Sequence, residues 1–344
     1  MEWLADYLVF LAKAVTVVIA FVAIITMVAA AVRQQRQGYS DRLDVQSLNE
    51  RYDAFVDTVQ DAIADDRGRK QRRKARKAEE KLRKKASKLG KAEHKAKLFV
   101  VDFDGDIKAS ETDALRHEVT AILQTAEPGD EVLLRLESSG GMVHGYGLAA
   151  SQLARLRDHG VRLTVSVDKV AASGGYMMAC VADRICCAPF AIIGSIGVVA
   201  QLPNFNRLLR EHNVDFELHT AGEYKRTLTM FGENTDEGRA KFQDELEEVH
   251  GLFKRFIEQF RPQLDLATVA TGEHWFGTRA KELNLVDDVI TSDDLLLKAS
   301  REKSIYQLEF HPQRSLQDRL ANAVDSSWKN ILRSIRHDSG TTWN

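Results

Sequence analysis

Residues 170–179 read VAASGGYMMA and place five small residues around Ser173, between a β-branched strand and an apolar helix. Small side chains at such a junction let a helix pack closely against a sheet, so the composition alone fits a structural turn. It fits equally a nucleophilic serine at the start of a helix, because backbone N–H groups beside it could bind an oxyanion. The choice depends on whether chemical partners of Ser173 occur elsewhere in the chain.

Strands and helices alternate on both sides of this stretch, beginning at Leu98. The β-rich runs are LFVVDFDG (98–105), EVLLRLES (131–138), RLTVSVDKV (162–170), DRICCAP (183–189) and VDFELHT (214–220), and helical patterns occupy 111–124, 147–158 and 235–259. Alternation of this kind predicts an α/β fold. We expect it to form one domain over residues 98–300.

The composition is that of a globular protein, with 44% hydrophobic and 28% charged residues in a chain of 344. The three cysteines, Cys180, Cys186 and Cys187, lie close together in an apolar region and lack the spacing of a zinc site. We interpret them as buried small hydrophobic residues. No metal or cofactor is expected.

The N-terminal region, residues 1–36, contains 19 uncharged residues at 14–32, which is close to the length of a transmembrane helix. A cleaved signal peptide is the competing interpretation, since Ala29–Ala31 resembles a cleavage site. Glu2 and Asp6 in the leading segment and the length of the run favour an uncleaved anchor. The basic residues that follow it favour a cytoplasmic catalytic domain.

Residues 37–97 are predicted to form a coiled-coil-like helix followed by a polybasic linker. Apolar residues between Val45 and Ala62 recur at spacings of three and four, which predicts a contact between copies in a homo-oligomer. Residues 67–97 carry 16 Lys or Arg against 3 Glu. This segment is either a solvated linker or a surface for anionic lipid; nucleic acid is disfavoured because stacking aromatics are missing. The C-terminal tail at 301–344 is predicted to be amphipathic, with a helix over residues 310–344.

Chemical partners for Ser173 do follow from the sequence. Gly140 and Gly141 come directly after the strand at 131–138, where a tight turn would expose backbone N–H groups. Ser195 lies in GSIGV (194–198), and Lys225 follows the run at 214–220. Counted from Gly140, Ser173 is 33 residues on, and Ser195 and Lys225 lie 22 and 52 residues beyond Ser173.

These motifs, in this order and spacing, resemble the signal peptide peptidase SppA family of serine proteases, and the form with an N-terminal anchor is most similar to its SohB branch. The segment TGEHWFG (271–277) followed by LVD (285–287) is similar to the end of the family's domain. Two positions depart from the pattern: Ser139 replaces a proline in the glycine loop, and Asn284 replaces a glycine. Both concern loop rigidity rather than a reacting group.

The resemblance implies a fold of the Clp protease and crotonase superfamily and a Ser-Lys dyad acting on peptides. Ser173 would be the nucleophile and Lys225 the general base, with Ser195 orienting the lysine. The N–H groups of Gly140 and Gly174 would form the oxyanion hole. A lysine is a base only when neutral, so Lys225 would need burial to lower its pKa.

Other bases and other functions stay open at this point. Lys169 is a rival base, and a Ser-His-Asp triad could use His144 or His219. A crotonase-like acyl-CoA enzyme and a catalytically silent membrane scaffold are the alternative functions. The expected location is the bacterial inner membrane, as a single-pass protein whose orientation the sequence leaves undecided.

Overall fold

The computed structural model describes residues 41–312, with gaps at 66, 73, 75–77, 79–80, 82–94 and 223. The predicted membrane anchor at 14–32 lies outside the described residues, as do most of the polybasic segment and the tail beyond residue 312. No helix within the described part of the chain is long and apolar enough to cross a membrane.

The described residues alternate between strands and helices, as the sequence predicts. The strands are β1 (Arg42–Ser47), β2 (Lys97–Gly105), β3 (Glu131–Ser138), β4 (Arg162–Val167), β5 (Val170–Ala172), β6 (Arg184–Cys187), β7 (Ile192–Gly194), β8 (His274–Phe276), β9 (Asp288–Val289) and β10 (Ser304–His311). The helices are α1 (Leu48–Ile63), α2 (Thr112–Thr125), α3 (Val143–Asp158), α4 (Gly174–Ala179), α5 (Asn206–Glu211), α6 (Asp236–Phe260), α7 (Leu266–Val269), α8 (Gly277–Glu282) and α9 (Ser292–Ala299).

The strands form one sheet in the order β1-β10-β2-β3-β4-β6-β9, and β5, β7 and β8 branch from β3. Pairing is parallel from β10 through β9 and along β3-β5-β7, whereas β8 is antiparallel to β7. The apolar run of β2 is buried from Leu98 to Val101, as expected for a parallel strand covered on both faces. The predicted α/β fold is therefore confirmed.

The predicted strand at 162–170 divides into β4 and β5 at Asp168. The Asp168 carboxylate accepts hydrogen bonds from the backbone N–H of Ser292 at 2.9 Å and from its hydroxyl at 2.5 Å. After this residue the chain still pairs with β3, but β7 replaces β6 as its other neighbour. The division moves the residues before Ser173 into a separate branch of the sheet.

The strand predicted at 214–220 is wrong. These residues have no regular structure and no strand partner, and the side chains of Val214, Phe216 and Leu218 are exposed. Phe216 packs instead against Phe231, with 5.8 Å between ring centroids. Alternating apolar residues form a strand only where a neighbouring strand accepts their hydrogen bonds, and none of the described strands lies beside them.

One compact unit spans Val45–Glu309 and includes the residues 98–300 predicted to form the peptidase domain. Leu48 of α1 is buried against Leu98, Val100 and Ile305. The Asn49 amide donates to the carbonyls of Ser300 and Lys303 and accepts from the N–H of Ile305. The apolar seam predicted at 45–62 is accordingly divided, because Leu48 packs within this unit whereas Phe55 and Val59 are exposed.

A buried ion pair holds the end of the longest described helix against the sheet. Arg261, which directly follows α6, is 4% exposed and donates two hydrogen bonds to Asp287, at 2.8 and 2.9 Å. Asp287 also accepts the N–H of Ile185 in β6 at 2.7 Å. Nearby, the Tyr176 hydroxyl donates to the carbonyl of Leu285 at 2.9 Å, which connects α4 to the same segment.

We predict that Asp287→Ala lowers the free energy of unfolding by about 3 to 5 kcal/mol, because it leaves the buried Arg261 guanidinium without a counter-ion. Chemical denaturation of the full-length chain in detergent measures this change. Glu233→Ala is the matched control: its ion pair with Arg210 has both side chains exposed, and its loss is expected to cost less than about 1 kcal/mol. Equal losses in the two variants would contradict the prediction.

The same pair gives a pH dependence with a defined sign. Burial raises the pKa of Asp287, but the hydrogen bonds from Arg261 and Ile185 outweigh it and hold the pKa below its ordinary value. The stabilisation is therefore fully present above the unfolded-state pKa of about 3.9, and it is lost as the pH falls through the lower folded-state value. Asp287→Asn should show a shallower loss of stability in acid than the unchanged chain.

Candidate active site

Three neighbouring parallel strands end together and bring the predicted site residues to one edge. Ser138, the last residue of β3, pairs with Ala171 of β5, and Ala172 pairs with Gly194 of β7. The residues that follow these strands are, in turn, residues 139–142, which we call the glycine turn, then Ser173 and Ser195. Ligands of open α/β sheets commonly bind outside the carboxyl ends of the strands, so this edge is the candidate site.

Ser173 has a backbone conformation that few residues other than glycine adopt, with φ 53° and ψ −117°. Its N–H donates to the carbonyl of Gly194 at 2.8 Å, and its carbonyl accepts from Met177 at 3.0 Å in the first turn of α4. The side chain is partly exposed. A sharp turn from strand to helix that presents a strained serine is the arrangement of a serine nucleophile.

The glycine turn lies directly beside Ser173. Gly140 has φ +92°, and a Cβ at this position would lie 2.7 Å from Cβ of Ser173 and 2.8 Å from N of Gly174. Its N–H, which the motif predicted as an oxyanion donor, donates to Oγ of Ser138 at 3.0 Å. Gly141, which the sequence reasoning did not select, is the residue of this turn that lines the adjacent cavity.

Ser195 follows β7 with φ 50°, and it too is partly exposed. Its N–H donates to the carbonyl of Glu273 at 2.6 Å, and the N–H of Gly272 donates to the carbonyl of Ile196 at 3.1 Å. The segment at 271–277 thus holds the turn that carries Ser195. Two separate motifs of the sequence meet here, next to the strand end that carries Ser173.

Lys225 is placed differently from the two serines. It lies in an exposed loop, where its N–H donates to the carbonyl of Gly222 at 3.2 Å, and it is outside the set of residues that line the Ser173 cavity. The rival base Lys169 lies 2.8 Å from the Glu137 carboxylate, whose hydrogen bonds raise the pKa of the lysine. That shift opposes a role for Lys169 as a neutral base.

Both candidate triad histidines are exposed. His144 lies in the first turn of α3, and His219 lies within the irregular segment at 214–220, where its ring is 3.2 Å from the exposed Glu217 carboxylate. A triad needs a histidine whose second ring nitrogen is oriented by a carboxylate beside the nucleophile. His219 has a carboxylate partner on its own segment, but it is not among the residues that line the cavity beside Ser173.

A small, largely apolar cavity opens beside Ser173. It is lined by Gly141, Val143, Ser173, Gly174, Met177, Gly197, Val198, Val249 and Phe253. None of these lining residues is charged, and α3, α4 and α6 all contribute to the wall. The lining suits an apolar side chain of a ligand.

The cysteines lie behind this site, and the prediction that they are buried is confirmed. Burial raises the pKa of Cys186 to about 11 and of Cys187 to about 12, and it raises that of Cys180 further. Thiols of this kind are protonated at neutral pH and poor nucleophiles. Among the described residues, no group of three or more His, Cys, Asp or Glu side chains is placed to hold a metal ion.

The sequence matches two family models in tandem: residues 2–153 match the N-terminal model of peptidase family S49, and residues 155–306 match the model of peptidase family S49 itself. Among curated proteins, the "Probable protease SohB" of Haemophilus influenzae is 51% identical over 96% of this chain and 95% of its own length. The chain belongs to peptidase family S49.

Two further similarities accompany the S49 assignment. The "Probable protease SohB" of Buchnera aphidicola from Acyrthosiphon pisum is 59% identical over 70% of this chain and 72% of its own length. Among solved structures, a membrane-bound stomatin-specific protease aligns with a TM-score of 0.40 at 15% identity, over 60% of this chain and 85% of that one. The S49 membership makes this chain a protease and supports the resemblance on which the site residues were selected.

For this S49 protein we predict that Gly140→Ala abolishes peptidase activity while the fold is retained. The added methyl group cannot share space with Ser173, and a φ of +92° is unfavourable for alanine. Labelling by a serine-reactive fluorophosphonate and circular dichroism of the same sample measure the two effects.

Gly147→Ala is the matched control for that substitution. Gly147 lies in α3, and a Cβ there would meet nothing within 4 Å. Alanine in a helix interior is more favourable than glycine by about 0.5 to 1 kcal/mol, so labelling should persist and stability should rise slightly. Unchanged labelling in Gly140→Ala would show that the turn is not part of the site.

Proposed function

We propose that this S49 protein is a membrane-anchored serine endopeptidase, with Ser173 as nucleophile and Lys225 as general base. The observation that carries the proposal is the strained, partly exposed Ser173 at the start of α4, between a glycine turn and an apolar cavity. A structural turn would need neither the strain nor the cavity. The spacing of Ser195 and Lys225 from Ser173 supports their inclusion.

In the proposed mechanism, Oγ of Ser173 attacks the scissile carbonyl carbon while Nζ of neutral Lys225 accepts the hydroxyl proton. The carbonyl oxygen becomes an oxyanion, which the N–H of Gly174 and an N–H of the glycine turn stabilise. As the first residue of α4, Gly174 has no carbonyl within its helix to accept its N–H. The ammonium then protonates the leaving amine, and water hydrolyses the acyl-enzyme by the same steps.

Lys225 can act only when water is removed from around it, and in the described chain it is exposed. The stretch of chain from α5 to Lys225 carries several exposed apolar side chains, among them Leu208, Phe216 and Tyr224. Exposed apolar surface of this kind is typical of an interface. We therefore propose that a homo-oligomer covers the segment and desolvates Lys225, while the hydroxyl of Ser195 orients its amine.

The substrate proposal rests on the uncharged cavity. Val143, Met177 and Phe253 line it, so the residue of the substrate that lies beside Ser173 should be apolar. Hydrophobic peptides fit this description, including signal peptides or fragments of damaged membrane proteins. An acyl-CoA substrate is less favoured, because a CoA phosphate requires basic neighbours and none of the residues that line the cavity is basic.

We predict that Lys225→Ala and Lys225→Arg both lose hydrolysis of a peptide with leucine before the scissile bond. A guanidinium cannot accept the serine proton at physiological pH, so retaining the positive charge should not rescue activity. Ser195→Ala should lose about 10 to 100-fold, as expected for an orienting hydrogen bond. Wild-type activity should rise with pH to a plateau in the mildly alkaline range, measured by steady-state kinetics.

The controls separate this dyad from its alternatives. Ser173→Ala should be inactive, whereas Lys169→Ala, His144→Ala and His219→Ala should stay within about threefold of the unchanged enzyme. A matched peptide with aspartate before the scissile bond should not be cut. Normal turnover in Lys225→Ala together with collapse in either histidine variant would replace the dyad by a triad, and hydrolysis by Ser173→Ala would reject the proposed function.

Membrane attachment is proposed from the uncharged run at 14–32, and the basic residues at 67–97 could add contacts to anionic headgroups. The two SohB relatives described above are bacterial, and we propose a bacterial inner membrane as the location of this single-pass protein. Carbonate extraction should leave the protein in the membrane pellet with its N-terminus intact. A mature protein that begins near Val32 would show that the run is a cleaved signal peptide.

A further inference from the structure

A buried tyrosine lies between the glycine turn and the nucleophile turn, and the sequence motifs do not single it out. Tyr146 of α3 has no exposed surface, and its Oη is 2.5 Å from Oγ of Ser138 and 2.8 Å from the carbonyl oxygen of Asp106. Oγ of Ser138 in turn accepts the N–H of Gly140 at 3.0 Å. Four groups therefore form one continuous chain of hydrogen bonds.

The direction of each hydrogen bond in this series follows from the number of protons that the two hydroxyl groups can donate. A tyrosine hydroxyl has one proton, and Tyr146 must donate it to the Asp106 carbonyl, because a carbonyl oxygen can only accept; the same carbonyl also accepts the N–H of Ala109 at 3.0 Å. The Ser138 hydroxyl must then donate to Tyr146 and accept from Gly140. Burial raises the pKa of Tyr146 above its ordinary value, so the phenol stays protonated and the direction does not change at working pH.

This chain holds one side of the glycine turn, and a second contact holds the other side. The N–H of Gly140 is directed into the protein toward Ser138, and the N–H of Met142 donates to the carbonyl of Ile107 at 2.8 Å. Gly141 lies between these two fixed peptides and lines the cavity beside Ser173. The position of Gly141 is therefore determined by bonds that its neighbours make.

The ring of Tyr146 contacts the nucleophile turn directly. A Cβ on Gly174 would lie 2.4 Å from Cγ of Tyr146, so the ring packs against the backbone of the residue that follows Ser173. Its edge also packs against Phe103 of β2, with 6.4 Å between ring centroids. Tyr146 thus contacts the Ser173–Gly174 turn with its ring, and through its hydroxyl and Ser138 it holds the glycine turn.

We propose that Tyr146, acting through Ser138, is a positioning residue that fixes the glycine turn relative to the Ser173–Gly174 turn. The two turns supply the N–H groups that meet the oxyanion, so their separation matters in the transition state more than in substrate binding. This inference rests on the proposed function. To that function it adds Tyr146 and Ser138 as the pair of residues that keeps the site in its reactive geometry.

The test is Tyr146→Phe in the full-length enzyme, which keeps the ring on Gly174 and removes only the hydroxyl. We expect kcat to fall about 10 to 100-fold with KM within about twofold, which is less than the 10² to 10³ lost with a whole oxyanion donor. Affinity for a peptide aldehyde inhibitor should fall by the same factor as kcat/KM. Ser138→Ala should reproduce both effects.

Two comparisons distinguish positioning from a general loss of stability. Tyr176→Phe removes another fully buried tyrosine hydroxyl, from α4, without touching the glycine turn, and should keep kcat within about threefold. The double variant Tyr146→Phe/Ser138→Ala should lose no more than the worse single variant, because both belong to one chain. In mass spectrometry, hydrogen exchange at residues 139–142 should accelerate in Tyr146→Phe and not in Tyr176→Phe.

The inference is overturned if Tyr146→Phe matches Tyr176→Phe in kcat, if its loss lies in KM, or if the two single losses multiply in the double variant. Equal hydrogen exchange at 139–142 in the two tyrosine variants would also reject it. These outcomes differ from failure of the proposed function, in which the unchanged enzyme would not hydrolyse peptides or Ser173→Ala would remain active. The hydrogen-exchange measurement tests whether Tyr146 and Ser138 hold the glycine turn, whether or not the enzyme hydrolyses peptides.

Discussion

The parallel pairing of β3, β5 and β7 is the constraint on which the rest of the site depends. Each strand ends at the same edge, and each is followed by a residue or turn with positive φ: Gly140, Ser173 and Ser195. Parallel strands fix the register of these turns through backbone hydrogen bonds, independently of the side chains that follow. For this reason Gly140 and Ser173, 33 residues apart, and Ser173 and Ser195, 22 residues apart, lie at neighbouring strand ends. Without β5 as a separate branch, Ser173 would continue the main sheet.

Two polar networks in the packing around the site have each of their members hydrogen-bonded. Tyr146, Ser138 and the carbonyl of Asp106 form one network beside the glycine turn, and Arg261 and Asp287 form the other at the end of α6. Buried networks of this kind are favourable when complete and costly when one member is removed. The site itself combines backbone turns held by hydrogen bonds with a cavity whose lining is uncharged.

Much of this arrangement could be predicted from the sequence. The glycine pair after a strand, the small residues around Ser173 and the second glycine-flanked serine identified three turns, and the structure places all three together. The strand at 214–220 could not be judged in the same way. Its alternating pattern is the same as that of a real strand, and only the lack of a neighbouring strand among the described residues separates the two. The environment of Lys225 was equally beyond reach, because burial is a property of packing.

The sequence by itself determined the α/β alternation, the order and spacing of the motifs and the family, because these depend on residue type and separation along the chain. Only the tertiary structure decided that α1 and β10 join the domain, that Gly140 turns its N–H inward so that Gly141 lines the cavity, and that Tyr146 lies between the two turns. Hydrogen-bond direction and contact depend on where strands and helices meet in space. No local pattern in the residues 138–146 records which carbonyl a buried hydroxyl will find.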